Sequence, residues 1–234
     1  MGLLPCDFCD EFSGGRNNAF YSRYGSDLRN RTIFYTQNFK VLPSLGQIVE
    51  GHVLIVPVRH YTALADMPRG PVEEMSGLAH RVRVALSINY GPCLLFEHGS
   101  RGDNSGGCGI YHAHLHAVPA VGSRDPICAL KGMFRHQRLE GITEVGTKAR
   151  GLKPYLYYED TNSNSYLFEV DYLPSQYMRK LLVEMMGEGE WDWRKCGREE
   201  ALLSTIARLS QAFGPGASKP TASEPANAAA GRPS

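Results

Sequence analysis

The sequence predicts an α+β fold in which a mainly antiparallel sheet is covered by segregated helices. Three observations predict it. Gly51-His52-Val53-Leu54-Ile55-Val56-Pro57 is a β-branched apolar run bounded by Gly and Pro, the pattern of a buried strand. Residues 71–89 carry Met75, Leu78, Ala79, Val82, Ala85 and Leu86 at helical spacing. His112-Ala113-His114-Leu115-His116 alternates with a period of two, so on a strand its imidazoles share one face, roughly 7 Å apart along the chain.

The elements follow in order. The first thirty residues are polar and rich in Gly and Asn, and read as a loop after the pair Cys6 and Cys9. Strand signals begin at Thr32–Thr36 and continue over Phe39–Leu42, with Pro43, Ser44 and Gly46 marking a turn. In the helix after the Gly-His strand, Pro71 suits the first turn, and Glu73 and Glu74 favour its N-terminal end. Cys93–Glu97 reads as a strand, and 98–109 as a Gly/Ser/Asp-rich loop leading to the histidines. Beyond them the sequence predicts a helix near Ile127–His136 and a hairpin from Tyr155–Glu159 and Tyr166–Tyr172 across Thr161–Asn164. Helices are predicted over Gln176–Met186 and Glu199–Phe213. Residues 1–122 read as one domain, 123–213 as a mixed or helical extension, and 214–234, poor in large apolar residues, as a disordered tail.

Composition narrows the function classes. The chain has 234 residues, an apolar fraction of 42% and a net charge of +1 from 25 basic and 24 acidic residues. This balance gives no electrostatic case for nonspecific nucleic-acid binding or for a membrane surface. No run approaches the length of a transmembrane helix, and the first residues lack a signal-peptide pattern, so a cytoplasmic protein is expected. Of the six cysteines, Cys6 and Cys9 stand at a spacing that lets two thiolates reach one metal ion.

The His-x-His-x-His segment behind a glycine-rich loop resembles the histidine triad superfamily of nucleotide hydrolases and transferases. Phe96-Glu97-His98-Gly99 and the glycines up to Gly109 stand where that family has its phosphate-binding approach, and Gly107–His114 is similar to a segment of the galactose-1-phosphate uridylyltransferases. The resemblance covers roughly half of the chain, about residues 5–120. It implies a nucleotide substrate, attack on phosphorus by His114, proton donation by His116 and orientation of the nucleophile by His52. It implies phosphate contacts from His98, Gly107, Cys108, Gly109 and Ile110, and a homodimer. It also implies a structural zinc ion held by Cys6, Cys9, His60 and His112, a closed tetrahedral set that would not activate water.

Two departures bear on the reaction. Cys108 and Gly109 stand where many hydrolases of the family carry Gln and some carry Ser, which makes phosphoramidase activity the less favoured chemistry. His116 stands where the uridylyltransferases have Gln, which favours hydrolysis of a nucleoside phosphate ester or anhydride, such as a dinucleoside polyphosphate. Transfer of the nucleotidyl group to a sugar phosphate or other acceptor, and nucleotide binding with little catalysis, are the alternatives. Downstream, Ser175 suits an N-cap, and Arg179 and Lys180 could reach a substrate anion, although a helix packing Tyr177, Leu181 and Leu182 on the sheet explains the same residues.

Overall fold

A computed structural model describes residues 6–25, 28, 30–99, 110–120, 125–152, 154–187 and 189–214. Its centre is an eight-stranded sheet in the order β1-β2-β3-β5-β4-β7-β8-β6, with every neighbouring pair antiparallel. The strands are β1 (Phe34–Tyr35), β2 (Phe39–Pro43), β3 (Val53–Pro57), β4 (Cys93–Gly99), β5 (Leu115–Pro119), β6 (Arg135–Leu139), β7 (Tyr155–Glu159) and β8 (Ser165–Glu169). The helices are α1 (Asp7–Phe12), α2 (Ala19–Tyr24), α3 (Arg69–Tyr90), α4 (Ile127–Met133), α5 (Val145–Lys148), α6 (Tyr177–Met186) and α7 (Glu199–Phe213). None is long and apolar enough to cross a membrane.

Strand alternation sorts side chains between two cores. On one face Val53, Ile55, Cys93, Leu95, Leu115, Ala117, Tyr155 and Tyr157 pack under α3, whose Met75, Leu78, Ala79, Val82, Ala85 and Leu86 are all buried. On the other face Leu94, Phe96, Val118, Leu156, Tyr158 and Phe168 pack against Met178, Leu182 and Val183 of α6. Burying each large apolar side chain contributes about 1.5–3 kcal/mol, so the helical period of α3 is sufficient reason for it to lie on the sheet. β4 pairs with β5 on one side and with β7 on the other, so the sheet runs on without a break into the C-terminal part of the chain. The second core face carries His52, His98 and His116, which share the parity of Leu54, Phe96 and Val118.

Several elements differ from the sequence expectation. The N-terminal segment is two short helices rather than a loop. Asp7 accepts from Ala19 N, Asp10 accepts from Asn17 N and Asn18 Nδ2, and Asn18 caps α2 by accepting from Tyr21 N. Six-residue helices carry too few turns to show a period; Asn18 caps α2, and Asp7 and Asp10 of α1 tie the two helices together. The predicted strand at Thr32–Thr36 shrinks to Phe34–Tyr35. β4 extends through His98 to Gly99, because β7 supplies partners that far. A side chain at Gly99 would place its Cβ 2.1 Å from the Tyr155 ring, so only glycine lets that ring lie there. The helix from Ile127 ends at Met133, and Arg135–Leu139, including His136, becomes an edge strand on β8.

The histidine segment itself is only partly a strand. β5 begins at Leu115, so His112 and His114 precede it. The ladder partner β3 ends at Pro57, and Ala113 N bonds instead to Tyr61 O in the following loop. That departure from the ladder turns His112 toward the N-terminal helices. Gly107, Cys108, Gly109 and the tail from 215 onward lie outside the described residues.

Candidate functional site

Two constellations flank the same few residues of chain. The first gathers Cys6, Cys9, His60 and His112, whose ligand atoms all lie within 4.8 Å of one another. Cys6 Sγ is 3.3 Å and Cys9 Sγ 3.6 Å from His112 Nδ1, and Cys9 Sγ is 3.4 Å from His60 Nδ1. Zn–S and Zn–N bonds meeting at a tetrahedral angle give a sulfur-to-nitrogen edge of about 3.6 Å. The four groups therefore fit a tetrahedral zinc ion. His112 Nε2 lies 2.8 Å from Pro57 O. A carbonyl oxygen only accepts, so that nitrogen carries the proton and Nδ1 keeps its lone pair for a metal. Burial, reinforced by the neighbouring Cys6, pushes the Cys9 thiol up to about 11. A bound dication would supply the charge that stabilises a thiolate there.

The local fold explains how residues far apart in sequence meet. Cys6 is the N-cap residue of α1 and Cys9 lies one turn further on, so both sulfurs leave one end of a helix. Phe8, between them, is buried against His112 and His114 with ring centroids 5.6 and 5.5 Å away. Arg31 holds the helix to the sheet. Its Nε and Nη2 donate to Glu11 Oε1 and Oε2, each at 2.8 Å, and its Nη1 donates to Pro43 O at 2.7 Å.

The second constellation is a cluster of buried histidines. His52, His98, His114 and His116 are each less than a tenth exposed. His114 Nδ1 is 2.6 Å from His112 O, so Nδ1 carries the proton and Nε2 keeps its lone pair. Burial holds His114 down at about 4, against the opposing pull of that bond, so it is neutral at pH 7. His52 Nδ1 accepts from Ile48 N at 3.3 Å, which leaves the His52 proton on Nε2. His52 Nε2 lies 2.9 Å from His116 Nδ1 and donates to it. The proton of His116 is thereby placed on Nε2. Burial lowers His116 and His52 well below the ordinary imidazole range, with smaller contributions from neighbouring histidines and Arg179. Phe96 stacks on the His116 ring at 4.3 Å and 11°.

This arrangement changes one assignment. The sequence expectation has His52 orienting His114. Its hydrogen bond runs to His116 instead, and the carbonyl of His112 orients His114. The reason is register: His116 pairs with Leu54 on β3, which sets it near His52. His98 is a strand residue. Its Nε2 accepts from Met178 N at 3.2 Å, capping the first turn of α6, and burial lowers it to about 3. Ile110 lines the same pocket as His114 and His116.

That pocket also contains residues that the sequence did not connect with the site, namely Phe8, Arg31, Ser44, Leu45 and Trp193. Arg179, which the sequence offered as a contact to a substrate anion, lines it as well. Motif spacing offers no signal for Arg31 or Ser44, since both depend on the folded course of the chain. Gly46 offers a retrospective one. It has φ +54, and a Cβ there would lie 2.9 Å from the Trp193 backbone, so the C-terminal segment can close over this turn only at a glycine.

Several solved structures of histidine triad proteins are similar to this chain. A hypothetical histidine triad nucleotide-binding protein from Sulfolobus tokodaii aligns over 89% of this chain and 91% of its own, with 12% identity and a TM-score of 0.46. A zinc-bound histidine triad protein from Mycobacterium smegmatis aligns over 53% of this chain and 86% of its own, with 24% identity and a TM-score of 0.38. A HIT family hydrolase from Legionella pneumophila aligns over 52% and 98%, with 20% identity and a TM-score of 0.38. No protein-family model matches the chain, and no curated protein matches it.

Proposed function

We propose that this histidine triad-like chain hydrolyses nucleoside phosphate esters or anhydrides, such as dinucleoside polyphosphates, through a nucleotidylated His114. The observation that carries the reading is the assignment of ring protons in the pocket. His114 has its Nδ1 proton tied to the His112 carbonyl, so the nucleophilic lone pair is on Nε2. The relay Ile48 N to His52 to His116 puts a proton on the outer nitrogen of the neighbouring ring. A nucleophile beside a proton donor is what a displacement at phosphorus requires.

In the first step His114 Nε2 attacks the α-phosphorus, a P–N bond forms, and the P–O bond to the leaving phosphate breaks with its electron pair on oxygen. His116 Nε2–H stabilises the leaving or a nonbridging oxygen. In the second step water attacks the same phosphorus and releases a proton to solvent, the P–N bond breaks with its electron pair returning to His114 Nε2, and the nucleoside monophosphate leaves. His52 holds the tautomer of His116 and touches neither reacting atom.

The zinc ion, where bound, supplies a rigid cross-link between α1 and the residues that precede β5. Cys6, Cys9, His60 and His112 would hold it, and Pro57 O fixes the His112 ring. A panel of dinucleoside polyphosphates and nucleotide esters, assayed for nucleoside monophosphate release, tests the function. Turnover by the parent protein and none by His114→Ala is the expected result. Equal turnover by both would refute it.

A further inference from the structure

Arg179 belongs to α6, on the C-terminal part of the chain, yet it lines the pocket of His114 and His116. It is one of the largest fully buried side chains of the protein, 1% exposed. Among its contacts, Nε donates to Trp191 O at 2.9 Å, Nη1 to Ser44 Oγ at 3.4 Å, and Nη2 to Gly46 O. The Arg179 charge is felt across the site, for after burial it is among the causes that lower His52, His98 and His116. Those imidazoles are neutral at pH 7, so they offer an anion hydrogen bonds but no charge.

A guanidinium is the side chain best matched to phosphate oxygens, and burial strengthens its attraction for them. Gln176 and Asp192 brace the position. Gln176 Nε2 donates to Asp192 Oδ1 at 2.9 Å, and Trp193 N donates to Gln176 Oε1 at 3.0 Å, which holds the 191–193 segment over the start of α6.

We propose that Arg179 is a substrate-binding residue that fixes the anionic oxygens of the phosphate presented to His114, so that the C-terminal segment forms part of the substrate site. This rests on the function proposed above. It makes the pocket selective for a phosphate anion over the uncharged nucleoside. A purely structural Arg179, holding Ser44, Gly46 and Trp191 together, makes no such distinction.

Isothermal titration of AMP, GMP, CMP and UMP, each against its nucleoside, separates the two in the parent, Arg179→Gln and Arg179→Lys. The monophosphate that the parent binds most tightly should lose on the order of 10- to 100-fold in affinity in Arg179→Gln, and less in Arg179→Lys, while nucleoside affinity holds in all three. If Arg179→Gln does not fold, Arg179→Lys alone decides, since a point charge replaces a fork and monophosphate affinity should still fall severalfold. Equal monophosphate affinity in parent and folded variants would overturn the assignment of Arg179 and leave the hydrolase reading standing. A parent that binds no nucleotide of the panel would overturn both.

Discussion

His112 and His114 are two residues apart and carry the same side chain, yet they present opposite nitrogens. His112 gives its Nε2 proton to Pro57 O and turns Nδ1 toward two sulfurs. His114 gives its Nδ1 proton to His112 O and keeps Nε2 for the pocket. The difference lies in which backbone carbonyl each ring can reach. Pro57 stands at the end of β3 and meets the first ring, whereas the second folds back on the carbonyl two residues before it. On the proposed function one carbonyl prepares a metal ligand and the other a nucleophile, so the two constellations should break separately.

The largest effect is expected at the nucleophile. His114→Ala should lower turnover by at least about 10³-fold and leave metal content and thermal stability near those of the parent. Steady-state hydrolysis with metal analysis of the same samples checks both halves. Cys9→Ala should do the reverse first: it abolishes binding of about one zinc per chain, and Tm falls by on the order of 10 °C. Calorimetry with and without a chelator reads this directly. A Cys9→Ala protein that keeps its zinc and its Tm would dissolve the distinction between the two sites.

Acid should act on the pocket through its buried neutral imidazoles. His52, His98 and His116 are all lowered by burial, His98 to about 3. A base whose folded pKa is depressed binds fewer protons folded than unfolded, so its stabilisation is complete above the unfolded value of about 6.5 and is lost as pH falls toward the folded value. Each such histidine contributes up to ~1.4 kcal/mol per pH unit across that window. Urea unfolding between pH 7 and pH 5 should therefore show falling stability, with a shallower slope in His98→Gln. Stability that stays level over that range would contradict the burial argument.

The smallest effect is expected at the relay. His52→Ala should cost about 10- to 100-fold in turnover by releasing the tautomer of His116, with zinc content unchanged. If turnover is unaffected, the hydrogen bond between the two rings has no part in proton donation.

Much of this was legible in the sequence, for physical reasons. The run at Val53–Pro57 and the apolar period of α3 encode burial, which is a local property of the chain. The spacing of Cys6 and Cys9 suggested a metal on its own, and the resemblance to the histidine triad superfamily added His60 and His112, which the fold does bring beside them. Orientation was not legible. Whether His52 meets His114 or His116 depends on the register of β3 against β5, which no spacing reveals. Arg31 and Ser44 were silent for the same reason. Arg179 could be suspected but not placed, since its position depends on how the 191–193 segment closes over Gly46. The two N-terminal helices went unseen because Asp7, Asp10 and Asn18 stabilise them through contacts between turns rather than through an apolar period.

The central claim is that His114, and no other histidine of the cluster, carries the nucleotidyl group. Rapid quenching of the protein with a hydrolysable dinucleoside polyphosphate, followed by peptide mapping under alkaline conditions, measures it. A nucleotide adduct on the peptide containing 112–116, localised to His114 and absent from His114→Ala, is the predicted result. An adduct on His116 or His98, or steady turnover with no adduct at any time point, would contradict the account.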